Sequence, residues 1–241
     1  MTETLLTLSG VHTHIGAYHI LHGVDLKVRR GRLTMLLGRN GAGKTTTLRT
    51  VMGLWRASKG YVGLGERDIS RYATPDIARL GVAYVPENMC IFADLTVREN
   101  MLLAARGAHR DIDISKDRLD WVGTLFPSVP KFWNYPAGKL SGGQKQMLAI
   151  ARAIIEPREL LLIDEPSKGL APAIVGNMIE AFAQLKTSGV SILLVEQNIN
   201  VANALGDDVA VMDNGRVVHA GAMSDFASDQ ELQHSLLGLA L

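Results

Sequence analysis

Two kinds of apolar pattern recur along the chain. Leu33–Leu37, Val82–Val85, Leu160–Ile163 and Ser191–Val195 are short, nearly continuous apolar runs, as expected of strands buried on both faces of a parallel sheet. Ile20–Val28 instead alternates, with apolar side chains at Val24, Leu26 and Val28, which predicts a strand with one wet face. Leu5–Leu8 and Gly60–Leu64 read as its neighbours, so an antiparallel layer is expected beside a parallel core. Val209–Met212 and Val217–Ala220 flank Asn214-Gly215, a hairpin signal because both central positions of such a turn need positive φ.

Helices are marked by their ends. Thr74-Pro75 predicts a start with threonine as cap and proline in the first turn, closed by Gly81. Thr96 and Glu99 form a capping box for a helix expected to run to Gly107. Ser115–Phe126 places Leu119, Val122 and Phe126 on one helical face, and the proline-rich Pro127–Pro136 predicts a loop. Ser141 caps an amphipathic helix over Lys145–Ile155. Pro172–Lys186 is a helix closed by Gly189, and Ser228 with Glu231 predicts a second capping box opening a short C-terminal helix. Strands alternating with helices give an α/β fold. We expect a single domain over 1–241, with a core from 1–87 and 156–241 and a mostly helical subdomain inserted over 88–155.

Composition narrows the function. The 241 residues are 47% hydrophobic and 20% charged, with a formal net charge of only +1. No basic field invites nucleic acid. Cys90 is the single cysteine, so no intrachain disulfide can form, as suits a reducing cytosol. The N-terminal MTETLLTLSGVHTH lacks the basic start and long apolar core of a signal peptide. The apolar stretch Met147–Ile155 is interrupted by Arg152 and too short to span a bilayer. A membrane role would have to come through a partner, with this chain on the cytoplasmic face.

The chemistry concentrates in three motifs. Arg32–Thr47 contains G-x-x-x-x-G-K-S/T between an apolar run and a helix, the phosphate-cradling loop in its proper setting. Gly38, Asn40, Gly41, Ala42, Gly43, Lys44, Thr45 and Thr46 are its candidate ATP-binding residues: glycines for close approach, amides at a helix start, Lys44 for the β- and γ-phosphates, and Thr45 for Mg²⁺. Leu160–Ile163 runs into Asp164-Glu165, where Asp164 can hold the magnesium and Glu165 can polarise a water. Leu140–Gln144 reads LSGGQ, a second anion-binding helix start carried by Ser141, Gly142, Gly143 and Gln144. Glu87 and Gln197 end two further apolar runs, where α/β sheets bind ligands.

GRNGAGKT, LSGGQ and LLLIDEP, in that order, resemble the ATP-binding cassette family across nearly the whole chain. The resemblance implies a P-loop NTPase with a RecA-like core, an antiparallel β-subdomain and an inserted helical subdomain carrying LSGGQ. It implies ATP hydrolysis with Mg²⁺ held by Thr45, Asp164 and Glu87, catalysis by Lys44, Glu165 and Gln197, and a head-to-tail dimer closing each ATP under Ser141, Gly142 and Gly143 of the other copy. Ser167–Leu170 would lie between the two sites. Tyr84–Glu87, Asp164–Pro172, Val195–Asn198 and Ile20–Val24 are similar to the branched-chain amino-acid (LivF-type) subfamily. That implies uptake through separate permease subunits, a like or sister ATPase subunit, and an extracytoplasmic solute-binding protein acting indirectly. The alternatives are a soluble cassette ATPase of an assembly or switch complex, and a binding module with a dead site.

Three departures stand out. Glu87 replaces the family's usual glutamine, and Gln197 the usual histidine; glutamine can hydrogen-bond a phosphate but cannot take a proton. Ile15 precedes Gly16 where an adenine-stacking aromatic is usual, leaving His14, Tyr18 or aliphatic surface for that contact. The remaining histidines, His12, His19, His22, His109, His219 and His234, show no metal-ligand spacing and read as structural or surface residues. Met89–Phe92, apolar in a loop, reads as either a permease contact or a tucked-in turn.

Overall fold

The computed structural model describes residues 3–106 and 114–238. The predicted end of the third helix at Gly107, and His109, lie outside the described residues.

The chain opens with an antiparallel pair, β1 (Thr4–Ile15) and β2 (Tyr18–Arg29), then enters β3 (Leu33–Gly38) and helix α1 (Lys44–Val51). β4 (Ala57–Leu64), β5 (Arg67–Asp68), α2 (Thr74–Arg79) and β6 (Val82–Val85) follow. Between β6 and β7 the chain is helical: α3 (Val97–Arg106), α4 (Lys116–Leu125), α5 (Ser128–Lys131) and α6 (Gly142–Ile154). β7 (Leu160–Asp164), α7 (Pro172–Thr187), β8 (Ser191–Val195), α8 (Ile199–Leu205), β9 (Asp208–Asp213), β10 (Arg216–Ala222), α9 (Met223–Ser228) and α10 (Gln230–Leu237) complete it.

Two sheets result. One is antiparallel, in the order β2-β1-β4-β5; the other runs β10-β9-β3-β8-β7-β6, with β3 parallel to both β8 and β9. The period-2 rule sorts each buried strand between two cores. Leu33, Met35 and Leu37 pack with Leu161, Ile163, Ile192 and Leu194 under the helices. Leu36, Leu160, Leu162, Leu193 and Val195 pack against Leu6, Leu8 and Leu26 of the antiparallel sheet. Burying such a side chain contributes roughly 1.5–3 kcal/mol, which explains why these runs carry no polar alternation.

Several boundaries differ from the sequence expectation. β1 extends far beyond Leu5–Leu8, because β2 and β4 satisfy its backbone on both sides despite polar side chains at Ser9, His12 and His14. The predicted loop Pro127–Pro136 contains a helical turn, α5, whose Val129 is buried in the core. The cap of α2 is Ala73 rather than Thr74, which already lies inside the helix. The predicted box at Ser228 does not form: Ser228 still belongs to α9, and Asp229 caps α10 by accepting from the Leu232 N–H at 2.9 Å. The box at Thr96 does form, with Thr96 N–H donating to Glu99 at 2.8 Å and Glu99 N–H to Thr96 Oγ1 at 3.2 Å.

His12, His14, His19 and His22 meet on one face of β1 and β2, with the His14 and His19 rings stacked 4.1 Å apart. Among the described residues no three histidine, cysteine or acidic side chains converge on a possible metal position.

The hairpin joining β9 and β10 keys the two sheets together. Asn214 and Gly215 have φ of 45° and 73°, as the turn requires. Gly215 N–H donates to the Ala42 carbonyl at 3.0 Å, and its own carbonyl accepts from His22 N–H at 2.8 Å. A β-carbon at Gly215 would overlap the Ile20 carbonyl. Gly215→Ala should therefore cost about 1–3 kcal/mol of folding stability, read as a lower denaturant midpoint at unchanged slope. An unchanged midpoint would show that the hairpin does not key the sheets.

Candidate functional site

Four adjacent parallel strands deliver their carboxyl ends to one edge of the sheet: β3 into Gly38, β6 toward Glu87, β7 into Asp164-Glu165, and β8 into Glu196-Gln197. β3 lies inside the sheet, so the loop at Gly38–Gly43 opens where neighbouring strand ends flank it. Gly38 has φ of 144°, and a β-carbon there would overlap the Met212 carbonyl. Gly43 is left-handed at φ 103° and starts α1 with no side-chain cap. The first amides of α1 therefore face a cavity of about 320 Å³ lined by Ile20, Asn40, Gly41, Lys44, Thr45 and Glu165, among others. Such a helix start attracts phosphate.

Lys44 is almost fully buried. Its ammonium donates to the carbonyls of Gly38 at 2.8 Å and Arg39 at 3.0 Å, and lies 3.6 Å from Glu165 Oε1. Burial pulls its pKa down, with Glu165 opposing. Thr45 Oγ1 donates to Asp164 Oδ1 at 3.1 Å, and the Tyr84 hydroxyl donates to Oδ2 at 3.3 Å. Asp164 is fully buried, and desolvation raises its pKa against the Thr45 bond. Tyr84 is pushed up to about 12 by burial and by the nearby Asp164 charge. Thr45 and Asp164 are hard oxygen donors in direct contact. Magnesium is usually held by one or two carboxylates plus substrate phosphates, so this pair fits it without a three-carboxylate cage.

Glu165 adopts φ of 46°, rare for a residue with a side chain and a form of strain found at functional sites. Its Oε1 accepts from Gln197 Nε2 at 2.6 Å, and the same Nε2 reaches Asn40 Oδ1 at 2.7 Å. Gln197 thus ties the phosphate loop to the carboxylate. Sequence reasoning passed over Glu196, which is buried and accepts from Ser167 N–H and Oγ at 2.9 Å and from Gln197 N–H at 3.1 Å. An acidic residue directly after the apolar run Ile192–Val195 is the available signal.

Ser141–Gln144 stands apart from this cluster. Ser141 caps α6, and Gln144 closes a capping box by accepting from Ser141 N–H at 2.9 Å. The predicted helix thus begins earlier, at Gly142. Ser141, Gly143 and Gln144 line a separate cavity with Phe126, Ile174 and Asn177. One copy of the chain does not bring this motif to the phosphate loop. Ile15 pairs across the β1–β2 turn with Tyr18, whose side chain is exposed. In the loop after Glu87, Met89 and Ile91 pack against the core, while Phe92 is half exposed beneath the Arg152 guanidinium. Cys90 in the same loop lines an apolar cleft of about 720 Å³ with Met52, Leu54, Trp55 and Pro86.

The ABC transporter family model matches residues 21–168. A high-affinity branched-chain amino acid transport ATP-binding protein, BraG of Pseudomonas aeruginosa, is 38% identical over 97% of this chain and 100% of its own length. LivF of Archaeoglobus fulgidus, also named for branched-chain amino acid transport, is 33% identical over 92% of this chain and 93% of its own. A solved ATP-binding subunit of an ABC transporter superposes with a TM-score of 0.82 at 28% identity, covering 97% of this chain and 96% of that one.

The buried Asp164 carboxyl gives a pH-dependent outcome. Its folded pKa lies above the ordinary 3.8, so the folded state binds the proton more tightly than the unfolded chain. Stability is therefore lost as pH rises from 3.8 to the folded value, and the loss is constant above it. Asp164→Asn should raise the nucleotide-free unfolding midpoint at pH 7, with the gain fading as pH falls toward 3.8. A loss of stability at every pH would refute this.

Proposed function

The chain belongs to the ABC transporter family and is one of its ATP-hydrolysing cassettes; on that premise we propose that it powers uptake of branched-chain amino acids through separate permease subunits. The observation that carries the chemistry is the convergence of Lys44, the Thr45–Asp164 pair and the Gln197–Glu165 pair on one sheet edge. The substrate class rests on full-length likeness to proteins named for branched-chain amino acid transport.

The geometry supports the following roles. Amides of Gly41–Thr46 and the Lys44 ammonium take the phosphates, with Gly38, Asn40 and Ala42 shaping the turn. Thr45 and Asp164 hold magnesium, and Glu87 lies at the rim of the same cavity. When bound, the ion withdraws charge from the phosphate oxygens. Lys44 then exchanges its two loop carbonyls for phosphate oxygen. Glu165 is buried and strained, and it accepts a hydrogen bond from the attacking water. Gln197 orients Glu165 and can donate to the terminal phosphate, but cannot take its proton.

Ser141, Gly142 and Gly143 of a second copy, or of a sister subunit, complete the site. The Gln144 side chain serves the cap that presents them. ATP bridging two surfaces favours the closed dimer, and hydrolysis removes the bridge. We assign the core to 1–87 and 156–241 and the signature-bearing subdomain to 88–155. The loop Met89–Phe92 and the apolar cleft beside it form the permease-facing surface. Among the described residues no helix is long and apolar enough to cross a membrane. On this reading the chain attaches at the cytoplasmic face through the permease. An extracytoplasmic solute-binding protein would act on it only indirectly.

Glu165→Gln should lower ATP turnover by about 10²-fold or more and leave ATP-dependent dimers visible by size-exclusion chromatography. Turnover at the wild-type rate would remove Glu165 from the chemistry. With permease and receptor reconstituted, leucine, isoleucine or valine should stimulate turnover. Stimulation only by an unrelated solute would overturn the substrate assignment and leave the ATPase intact.

A further inference from the structure

We propose that Lys168 is a positioning residue of the phosphate site, the built-in counter-ion of Glu87 beside the Lys44 loop. This rests on the reading of the Lys44 loop as the ATP site.

The geometry is local and specific. Lys168 lies in the turn after β7, and its N–H donates to the Glu165 carbonyl at 3.2 Å. Its ammonium is 2.6 Å from Glu87 Oε1 and 3.4 Å from Glu165 Oε2. One lysine therefore spans the loop after β6 and the carboxylate after β7. Glu87, Glu165 and Lys168 all line the cavity that holds Gly41, Gly43, Lys44 and Thr45.

Charge decides what the pair does. Glu165 and Glu87 face Lys44 and Lys168, with Asp164 behind Thr45, and these five groups carry one net negative charge; Glu196 lies behind them, bonded to Ser167. Mg·ATP is itself an anion. Removing Lys168 leaves two net negative charges in its path, and removing the Glu87 charge as well restores the original balance. Both side chains of the pair are about half exposed, at 55% and 47%, so the bond adds little to folding stability. Its effect belongs in ligand affinity, where it is screened by salt. By holding Glu87 and Glu165 together it also orients the carboxylate that Gln197 grips from the other side.

The test is a charge cycle on the full chain, reading KM and kcat for Mg·ATP together with direct binding of a fluorescent ATP analogue in EDTA. Lys168→Ala should raise KM about three- to tenfold with kcat changed less than KM, and weaken analogue binding more strongly in EDTA, where the nucleotide carries more negative charge. Lys168→Arg should stay near wild type. Glu87→Gln in the Lys168→Ala background should return KM and analogue affinity toward wild type, and the Lys168→Ala effect should shrink at high salt. The nucleotide-free unfolding midpoint should not move. Unchanged KM and binding in Lys168→Ala, or no rescue by Glu87→Gln, overturns the proposal. Lys44→Ala separates the two readings. If it abolishes binding while Lys168→Ala does nothing, only this inference fails. If it binds the analogue normally, the assignment of the ATP site fails with it.

Discussion

A charge taken out of water must be paired, and the carboxyl edge of the parallel sheet holds four that are nearly or wholly buried: Lys44, Asp164, Glu165 and Glu196. Leaving any of them alone would cost several kcal/mol. Each is answered by groups from another strand end. Lys44 meets loop carbonyls and Glu165, Asp164 meets Thr45 and Tyr84, and Glu196 gathers the turn after β7. The pairing forces four loops, distant in sequence, into one constellation. It also stores charge where a phosphate and a cation can replace the internal partners.

On the proposed reading, that exchange explains how a stable fold can hold a reactive site. Lys44 spends its protons on main-chain oxygens, which are weaker partners than phosphate. Desolvation raises the Asp164 pKa, so a cation held beside Thr45 would relieve an existing penalty. Glu165 is held in a sparsely populated backbone conformation by β8, through its N–H bond to the Val195 carbonyl, and by Gln197. The supports of the site are strand ends, and the hairpin at Gly215 donates its N–H to the Ala42 carbonyl of the phosphate loop.

One copy of the chain leaves its second glycine-rich helix start away from the phosphate loop. Ser141 and its glycines form a well-capped helix start, yet they belong to a different cavity from the Lys44 loop. On the proposed reading, that helix start is the surface offered to a second copy. The apolar cleft beside Cys90 similarly lies outside the phosphate cavity but adjoins the loop that carries Glu87, so a partner seated there would push on the rim of the site.

Motif chemistry was legible in the residues because it depends on local spacing. The glycine-rich turn before Lys44, the apolar run into Asp164, the box at Thr96 and the Asn214-Gly215 hairpin are each set by sterics and hydrogen bonds within a few residues. The full length of β1 and the helical turn at Val129 were not legible, since each depends on what a distant segment offers in hydrogen bonds or burial; the cap of α10 is a local choice that falls on Asp229 because Ser228 still belongs to α9. Spacing alone gave no sign that four histidines would stack on one strand pair, that Glu196 would anchor Ser167, or that Lys168 would reach Glu87 across 81 positions. Sequence determined which residues could bind phosphate and metal; tertiary structure decided which charges face one another, because electrostatic energy follows distance in space and burial, neither of which is written in the order of residues.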